Sequence, residues 1–344
     1  MRVRAACVAV VMAFISLGAR APQASPPYPR SATLAGIEWA AANTIVRRAS
    51  GSDNWPLTWA ADDALYGAYG DGQGFEPFVE RKLSLGLSRI TGGPQDFTGV
   101  NLRAATIERL GDGAAGPKAS GMLAVNGVLY LWIRNVTNSQ LAWSADHGRT
   151  WRWAAWRLTD SFGAPTFLQF GRDYAGARDT FVYVYSADAA TAYDPADAMV
   201  LARVPADRIT ERAAYEFFRG LDAAGQPTWH ASVTERRPVF VHPRRSYRSG
   251  ISYNPALQRY LWCQVLPESP DVRGPRFQGG FGIYDAPEPW GPWTTAFFTE
   301  RWDVGPGETC SVPPKWISAD GLTIHMVFSG DDAFSVRRGR VRLR

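Results

Sequence analysis

The chain has 344 residues, of which 46% are hydrophobic, 20% charged and 13% aromatic, including 14 tryptophans. This composition is typical of a globular protein with a sizeable core and excludes an intrinsically disordered chain. The formal net charge is +5, and the N-terminal segment decides whether that charge implies a nucleic-acid partner.

The N-terminus has the order of a secretory signal peptide. Arg2 and Arg4 precede an apolar run over residues 5–17, and small residues follow. A run of about 13 apolar residues is too short to span a bilayer. We expect residues 1–24 to be a signal peptide, cleaved after Ala21 or Ala24, and the mature protein to be secreted to the extracellular space or periplasm. The alternative is a buried or frayed N-terminal helix.

Removal of that segment changes the charge argument. Arg2, Arg4 and Arg20 leave with it and no acid does, so the net charge falls to +2. The basic C-terminal residues 337–344 alternate with apolar ones, which favours a final strand with a solvated basic face. We therefore expect no nucleic-acid partner, no membrane partner after signal removal, and a monomer.

Beyond a proline-rich linker at residues 25–34, the chain is a series of short strands, and residues 35–344 are predicted to form one domain. Alternating or aromatic-rich runs are bounded by Gly, Pro, Asn and Asp. The strands fall into five groups, over residues 52–69, 121–151, 166–204, 247–298 and 310–336. Five groups predict an all-β, five-bladed β-propeller, with a short helical insertion near 208–221. A two-sheet sandwich is the alternative.

Residues 144–151, SADHGRTW, match the S-x-D-x-G-x-T-W pattern of sialidase-type propellers. Its usual role is a structural turn, so we do not count Asp146 as catalytic. Cys7 leaves with the signal peptide, and Cys263 and Cys310 remain. In an oxidising compartment those two could pair, but buried free thiols are the other possibility.

Two acids flank the first predicted hairpin. Folding residues 51–75 about Asp62 places Asp53 beside Asp71, within the reach of a cross-strand pair. Glycoside hydrolysis needs one carboxyl to protonate the leaving oxygen and a second to activate water or attack carbon. The alternative is that both acids are simple turn residues, which is our expectation for Asp62 and Asp63.

Further candidates lie where the inner strands of a propeller meet at the central axis. Glu308, in a loop leading into an inner strand, is a candidate third catalytic acid or a salt-bridge partner of Lys315. Lys118 and Ser120 are also axial candidates. The candidate substrate-binding residues are Trp55, Arg172, Asp173, Tyr247, Arg248, Asn254 and Lys315.

Other chemistries lack their motifs. The four histidines are scattered without metal-ligand spacing, and there is no Walker A loop, dinucleotide fingerprint or nucleophile elbow. We expect no catalytic metal and no cofactor, and leave open a structural cation in the axial channel.

Several long strings resemble one family. They include SDNWPLTWAADDALYGAYGDG, FGRDYAGARD, YRSGISYNP and GGFGIYDAPEPWGPWTT, and the match runs from residue 52 to 336. The family comprises secreted five-bladed propellers of originally unknown function, whose characterised members are endo-D-arabinanases. The resemblance implies a glycoside hydrolase with a polysaccharide substrate, and it places the catalytic pair at Asp53 and Asp71. The rival reading is a non-catalytic carbohydrate-binding propeller, with an interaction scaffold as a third.

Overall fold

The computed structural model describes residues 25–267, 279–304 and 307–344, so the predicted signal peptide lies outside the described residues. Within these ranges the chain forms β-strands and short 3-10 turns, with no α-helix. The 3-10 turns lie at Ala42–Thr44, Gly113–Ala115, Arg172–Tyr174, Arg212–Ala214, Val233–Glu235 and Pro314–Trp316. Among the described residues, no helix has the length and apolar character needed to cross a membrane.

The strands form five antiparallel blades, as predicted, and the innermost strands of blades three and four pair in parallel, which joins these two blades into one sheet. Two N-terminal strands are β1 (Leu34–Trp39) and β2 (Val46–Arg48). Blade one holds β3 (Leu57–Trp59), β4 (Leu65–Tyr69), β5 (Gly86–Thr91) and β6 (Thr98–Leu102). Blade two holds β7 (Lys118–Val125), β8 (Val128–Arg134), β9 (Ser139–Ser144) and β10 (Arg152–Leu158).

Blade three is the most elaborate. It holds β11 (Thr166–Gln169), β12 (Phe181–Ala187), β13 (Ala196–Pro205), β14 (Glu216–Leu221), β15 (Pro227–His230) and β16 (Pro238–Ser246). Blade four holds β17 (Ser249–Asn254), β18 (Arg259–Val265), β19 (Phe281–Ala286) and β20 (Thr294–Thr299). Blade five holds β21 (Cys310–Ser311), β22 (Thr323–Phe328) and β23 (Phe334–Leu343).

The N-terminal strand closes the ring. Strand β1 pairs antiparallel with β23, with Ile37 opposite Val341, so it is the outermost strand of blade five. Closure of this kind protects sheet edges. A disulfide between Cys263 and Cys310 also joins blade four to blade five, which resolves the choice between paired and free thiols.

The hydrophobic core lies between the blades rather than along the axis. Four buried clusters occupy the interfaces of blades one and two, two to four, four and five, and five and one. Trp55, for example, packs against Tyr69, Phe75 and Phe334 at the junction of blades five and one. Aromatic side chains therefore stabilise the ring mainly by filling wedges between neighbouring sheets.

The helical insertion predicted near 208–221 is wrong. Only Arg212–Ala214 forms a 3-10 turn, and Glu216–Leu221 is strand β14, paired with β13 and β15. Phe217 and Phe218 are buried in this strand. Pairing with β13 buries these two aromatic side chains. This tertiary contact outweighs the helical pattern of the charged residues that precede Phe217.

The proline-rich segment is also more ordered than expected of a linker. Tyr28 Oη accepts a hydrogen bond from the Val241 N–H at 2.9 Å, and the Pro29 carbonyl accepts one from Thr295 N–H at 2.8 Å. Residues 28–31 therefore lie against blades three and four, and β1 begins one residue before the boundary expected at 35.

Candidate functional site at the ionic end of the axis

Asp53 stands where the chain enters the first hairpin. Within the hairpin the strands pair about Asp62 as predicted, with Trp59 opposite Leu65. Asp53, however, pairs with Gly70 through two backbone hydrogen bonds of 2.8 and 2.9 Å, and not with Asp71. The register shifts by one residue because Asn54 adopts a positive φ of 58° and forms a bulge.

Asn54 also fixes this bulge to the neighbouring blade. Its side-chain amide donates to the Ala119 carbonyl at 2.5 Å. Glycine at position 70 is needed for the carboxylate to approach, since a Cβ there would lie 2.9 Å from Asp53 Oδ1. The same Cβ would lie 3.5 Å from Lys118 Nζ, so Asp53 and Lys118 share one small space.

Asp71 follows directly and has a positive φ of 44°. Its carboxylate forms an ion pair with Lys118, and its Oδ2 accepts a hydrogen bond from the Gly113 N–H at 3.3 Å. Lys118 begins the inner strand of blade two and is 2% exposed. The Asp71 side chain keeps 17% exposure, so solvent can reach it.

A second ion pair lies at the same end. Arg248, at the start of the inner strand of blade four, forms an ion pair with Glu308, which precedes that of blade five. Both residues are buried. Arg248 Nε also donates to the Ala192 carbonyl at 3.2 Å, and its guanidinium lies 4.9 Å from the Tyr247 ring centre.

Two further residues belong to this group and were missed by sequence reasoning. Arg134 ends β8 directly opposite Lys118, and Tyr193 lies in the loop between β12 and β13. The guanidinium groups of Arg134 and Arg248 each lie 5.3 Å from the Tyr193 ring centre. Arg134 is the one charged residue of the run VLYLWIRN. The sequence alone does not show that it lies at the axis, because that position follows from its place opposite Lys118.

The electrostatics of these residues are coupled. Burial raises the pKa of the Asp53 carboxyl above its usual range, and the negative charge of Asp71 acts in the same direction. Lys118, Arg134 and Arg248 oppose that rise without cancelling it. The net effect is that Asp53 holds a proton more readily than an ordinary aspartate.

We call this part of the molecule the ionic end of the axis. It is the end that holds Asp53, Asp71, Lys118, Arg134, Tyr193, Tyr247, Arg248 and Glu308.

Four predicted binding residues lie at the opposite end, which we call the turn end. Because inner strands start at the ionic end, residues that follow these strands are carried away from it. The turn end holds Asp62, Asp63, Arg172, Asp173, Asn254 and Lys315.

Contacts within the turn end confirm this placement. Arg172 Nε donates to the Ala61 carbonyl at 3.0 Å, and Lys315 forms a 2.8 Å ion pair with Asp63. Asn254 donates to the Gly321 carbonyl at 2.9 Å, and Asp173 accepts from the Gly127 N–H at 3.0 Å. Lys315 therefore pairs with Asp63, and not with Glu308 as one expectation had it.

Trp55 is the remaining candidate, and it is a core residue. It is 1% exposed and its indole N–H donates to the Ser52 carbonyl at 3.3 Å. Of the ten predicted site residues, the ionic end thus brings together Asp53, Asp71, Glu308, Tyr247 and Arg248.

The axis between the two ends is lined by apolar side chains such as Leu57, Met122 and Ile251 and by small polar residues from several blades. The small polar residues include Ser120, Thr166, Ser249, Thr309 and Ser311. Across the described ranges, no cluster of three or more His, Cys, Asp or Glu side chains is arranged to hold a metal ion. A structural cation in this channel stays an open prediction.

No protein-family model matches the sequence, and no curated protein matches it either. Solved structures with similar folds exist. A "putative hydrolase" from Bacteroides ovatus is 14% identical, with a TM-score of 0.50 over 87% of this chain and 88% of that one. A glycosyl hydrolase from Bacteroides ovatus is 11% identical, with a TM-score of 0.48 over 93% and 99% of the two chains.

An α-L-arabinofuranosidase from Podospora anserina, in complex with cellotriose, is 10% identical, with a TM-score of 0.46 over 85% of this chain and 90% of that one. At these identities, the likeness to the "putative hydrolase" concerns the fold alone.

Proposed function

We propose that this protein is a glycoside hydrolase whose active site is the ionic end of the propeller axis. The observation that carries the proposal is the pair formed by Asp53 and Asp71. One carboxyl is desolvated with a raised pKa, and the other is ion-paired and solvent-accessible. Two carboxyls whose environments differ in this way are what acid–base cleavage of a glycosidic bond requires.

In this proposal Asp53 is the general acid. Its raised pKa lets it carry a proton to the glycosidic oxygen as the bond to carbon breaks. Asp71, ion-paired with Lys118, activates the attacking water or attacks the anomeric carbon itself. The proton that Asp53 gives up ends on the leaving sugar. One water is consumed: its hydroxyl bonds to the anomeric carbon, either directly or by displacing Asp71 from it, and its proton passes to the carboxylate that acts as base. Asp53 regains a proton from that water or from solvent.

Glu308 and Arg248 support this pair. Their mutual ion pair fixes the Arg248 guanidinium beside Tyr247, where both side chains line the ionic end. We assign Arg248 and Tyr247 to binding sugar hydroxyls and Glu308 to an auxiliary acid role. Arg172, Asp173, Asn254, Lys315 and Trp55 have no part in this site, because they lie at the turn end or in the core.

The substrate we propose is an extracellular or cell-wall polysaccharide, and D-arabinan is the first to test because of the family resemblance of residues 52–336. Secretion is part of the proposal. The disulfide between Cys263 and Cys310 supports it, since disulfides persist in oxidising compartments.

The test is incubation of the mature chain with a panel of purified polysaccharides, D-arabinan included, followed by chromatography of the products. The expected result is release of oligosaccharides from at least one polymer, and none from the double variant Asp53→Asn, Asp71→Asn. Tight binding to a polymer that wild-type protein never cleaves would instead identify a carbohydrate-binding propeller.

A further inference from the structure

Arg134 is a buried cation that forms no ion pair with a carboxylate in the ion pairs found among the described residues. The residue is 1% exposed, and none of its three guanidinium nitrogens has a hydrogen-bond partner among the described residues. Its guanidinium lies 5.3 Å from the Tyr193 ring centre, and its charge also lowers the pKa of Asp53. Burial lowers its pKa to about 10, with the charge of Arg248 adding to the effect, so it stays charged at neutral pH.

Burying the Arg134 guanidinium in this way destabilises the folded protein. A buried charge is destabilising unless it is paired and hydrogen-bonded. A guanidinium offers five N–H donors in a fixed fork, and its best partners are planar carboxylates. A guanidinium without hydrogen-bond partners at a proposed active site is therefore expected to donate hydrogen bonds to a ligand.

The surrounding charges point to the sign of that ligand. Asp71 is paired with Lys118, and Glu308 with Arg248. The third acid, Asp53, lies beside Lys118, and burial raises its pKa. It therefore compensates the charge of Arg134 less fully than an ordinary aspartate would.

The pKa of Tyr193 reflects the positive charges of Arg134 and Arg248. Burial by itself would raise the pKa of its phenol, but the positive charges of Arg134 and Arg248, with a hydrogen bond from Asn135, lower it instead. The phenol oxygen accepts that hydrogen bond from Asn135 Nδ2 at 3.1 Å. Tyr193 is itself only half-buried, so it is the neighbour that a ligand would displace to reach Arg134.

We infer that the ionic end takes an acidic saccharide, and that Arg134 binds the carboxylate of a uronic acid unit. This inference rests on the proposed glycoside hydrolase function and names its substrate class. In it, the Arg134 fork donates two parallel hydrogen bonds to the carboxylate, while Asp53 and Asp71 act on the neighbouring glycosidic bond. A neutral sugar would leave the guanidinium unpaired.

The experiment compares acidic polymers with matched neutral ones. Polygalacturonate, polyglucuronate and alginate oligosaccharides are each titrated calorimetrically into wild-type protein at physiological salt, beside the same oligosaccharides after reduction of their carboxyl groups. We expect at least one acidic form to bind tenfold or more tightly than its reduced counterpart, on the order of the loss expected for a charged hydrogen bond.

Variants assign that preference to one residue. Arg134→Gln should abolish it and Arg134→Lys should keep part of it, while the matched surface variant Arg340→Gln should keep all of it. Melting temperatures check that each variant is folded. If Arg134→Gln does not fold, the comparison of acidic and reduced ligands on wild-type protein still decides the question.

Equal binding of acidic and reduced forms by wild-type protein would overturn the inference, as would a preference that survives in Arg134→Gln. The two proposals fail separately. Cleavage of neutral D-arabinan with no preference for acidic ligands would remove the acidic substrate and keep the hydrolase. Arg134-dependent binding of an acidic oligosaccharide without cleavage would do the reverse.

Discussion

The two ends of the propeller axis carry similar residue types in different physical states. At the ionic end, Asp71 and Glu308 pair with cations that are 2% and 5% exposed. At the turn end, Asp62 pairs with Arg89 and Asp63 with Lys315, and the Asp63 side chain is 57% exposed. The contrast teaches that burial, and not the presence of acids at hairpins, marks the candidate active site.

The contrast has a structural cause. Asp62 and Asp63 each accept a hydrogen bond within their own hairpin, from the Ala64 backbone N–H and the Trp59 indole N–H, and both stay partly exposed beside Arg89 and Lys315. Asp53 instead lies on a bulge that brings blades one and two together. The ionic end therefore gathers its charges into buried surroundings, whereas the acids of the turn end remain in contact with solvent.

The largest expected difference between the two ends is in activity. Asp71→Asn should reduce sugar release by about 10²–10⁴-fold, because it removes the proposed base. Asp62→Asn is the matched control at the turn end and should leave the rate unchanged. Reducing-sugar assays on the polymer that wild-type protein cleaves check both variants; comparable losses in the two would erase the distinction.

The next difference is in stability. Arg248→Met removes the cation that forms a buried ion pair with Glu308 and should lower the free energy of unfolding by about 3–5 kcal/mol. Lys315→Met breaks an ion pair whose acid is largely exposed and should cost no more than about 1 kcal/mol. Urea denaturation of each variant measures both values, and similar costs would show that the two pairs are equally solvated.

The smallest expected difference between the two ends is in the pH dependence of stability, which should have opposite signs for Asp53 and Asp63. The pKa of Asp53 is raised in the folded protein, mainly by burial, so its ionisation destabilises the fold as pH rises above about 4. Asp53→Asn should therefore gain in melting temperature relative to wild type between pH 4 and 7.

Asp63 has a pKa that is lowered, first by its hydrogen bond with Lys315 and then by that with Trp59. Its ionised form stabilises the fold above the unfolded pKa, and that contribution is lost as pH falls. Asp63→Asn should therefore lose in melting temperature relative to wild type over the same range. Melting curves at half-unit pH steps test both slopes, and slopes of the same sign would contradict the account.

The sequence was sufficient for the blade count and for the turn at Asp62, because strand periodicity and turn residues are local features. It also brought Asp53 close to Asp71, although the bulge at Asn54 moved the register by one residue. The tight turn at residues 144–151 was likewise readable from the sequence, with Asp146 accepting hydrogen bonds from Thr150.

What the sequence could not supply was the direction of the inner strands at the axis. Arg172 and Lys315 follow inner strands and Asn254 ends one, so all three lie at the turn end. Arg134 lies on the second strand of blade two, and Tyr193 lies in a loop of blade three. Their positions at the ionic end can be predicted only from the cross-strand register and the packing of the blades, which the sequence alone does not give. Strand β14 was misread because its burial comes from β13 and not from its own pattern.

The most direct test of the central claim asks whether Asp53 supplies the proton. Once a polymer substrate is known, Asp53→Asn is assayed on that polymer and on an aryl glycoside of the same sugar, whose leaving group departs without protonation. The account predicts a loss of about 10²–10⁴-fold on the polymer and a rate near that of wild type on the aryl glycoside. Full activity on the polymer, or equal loss on both substrates, would contradict it.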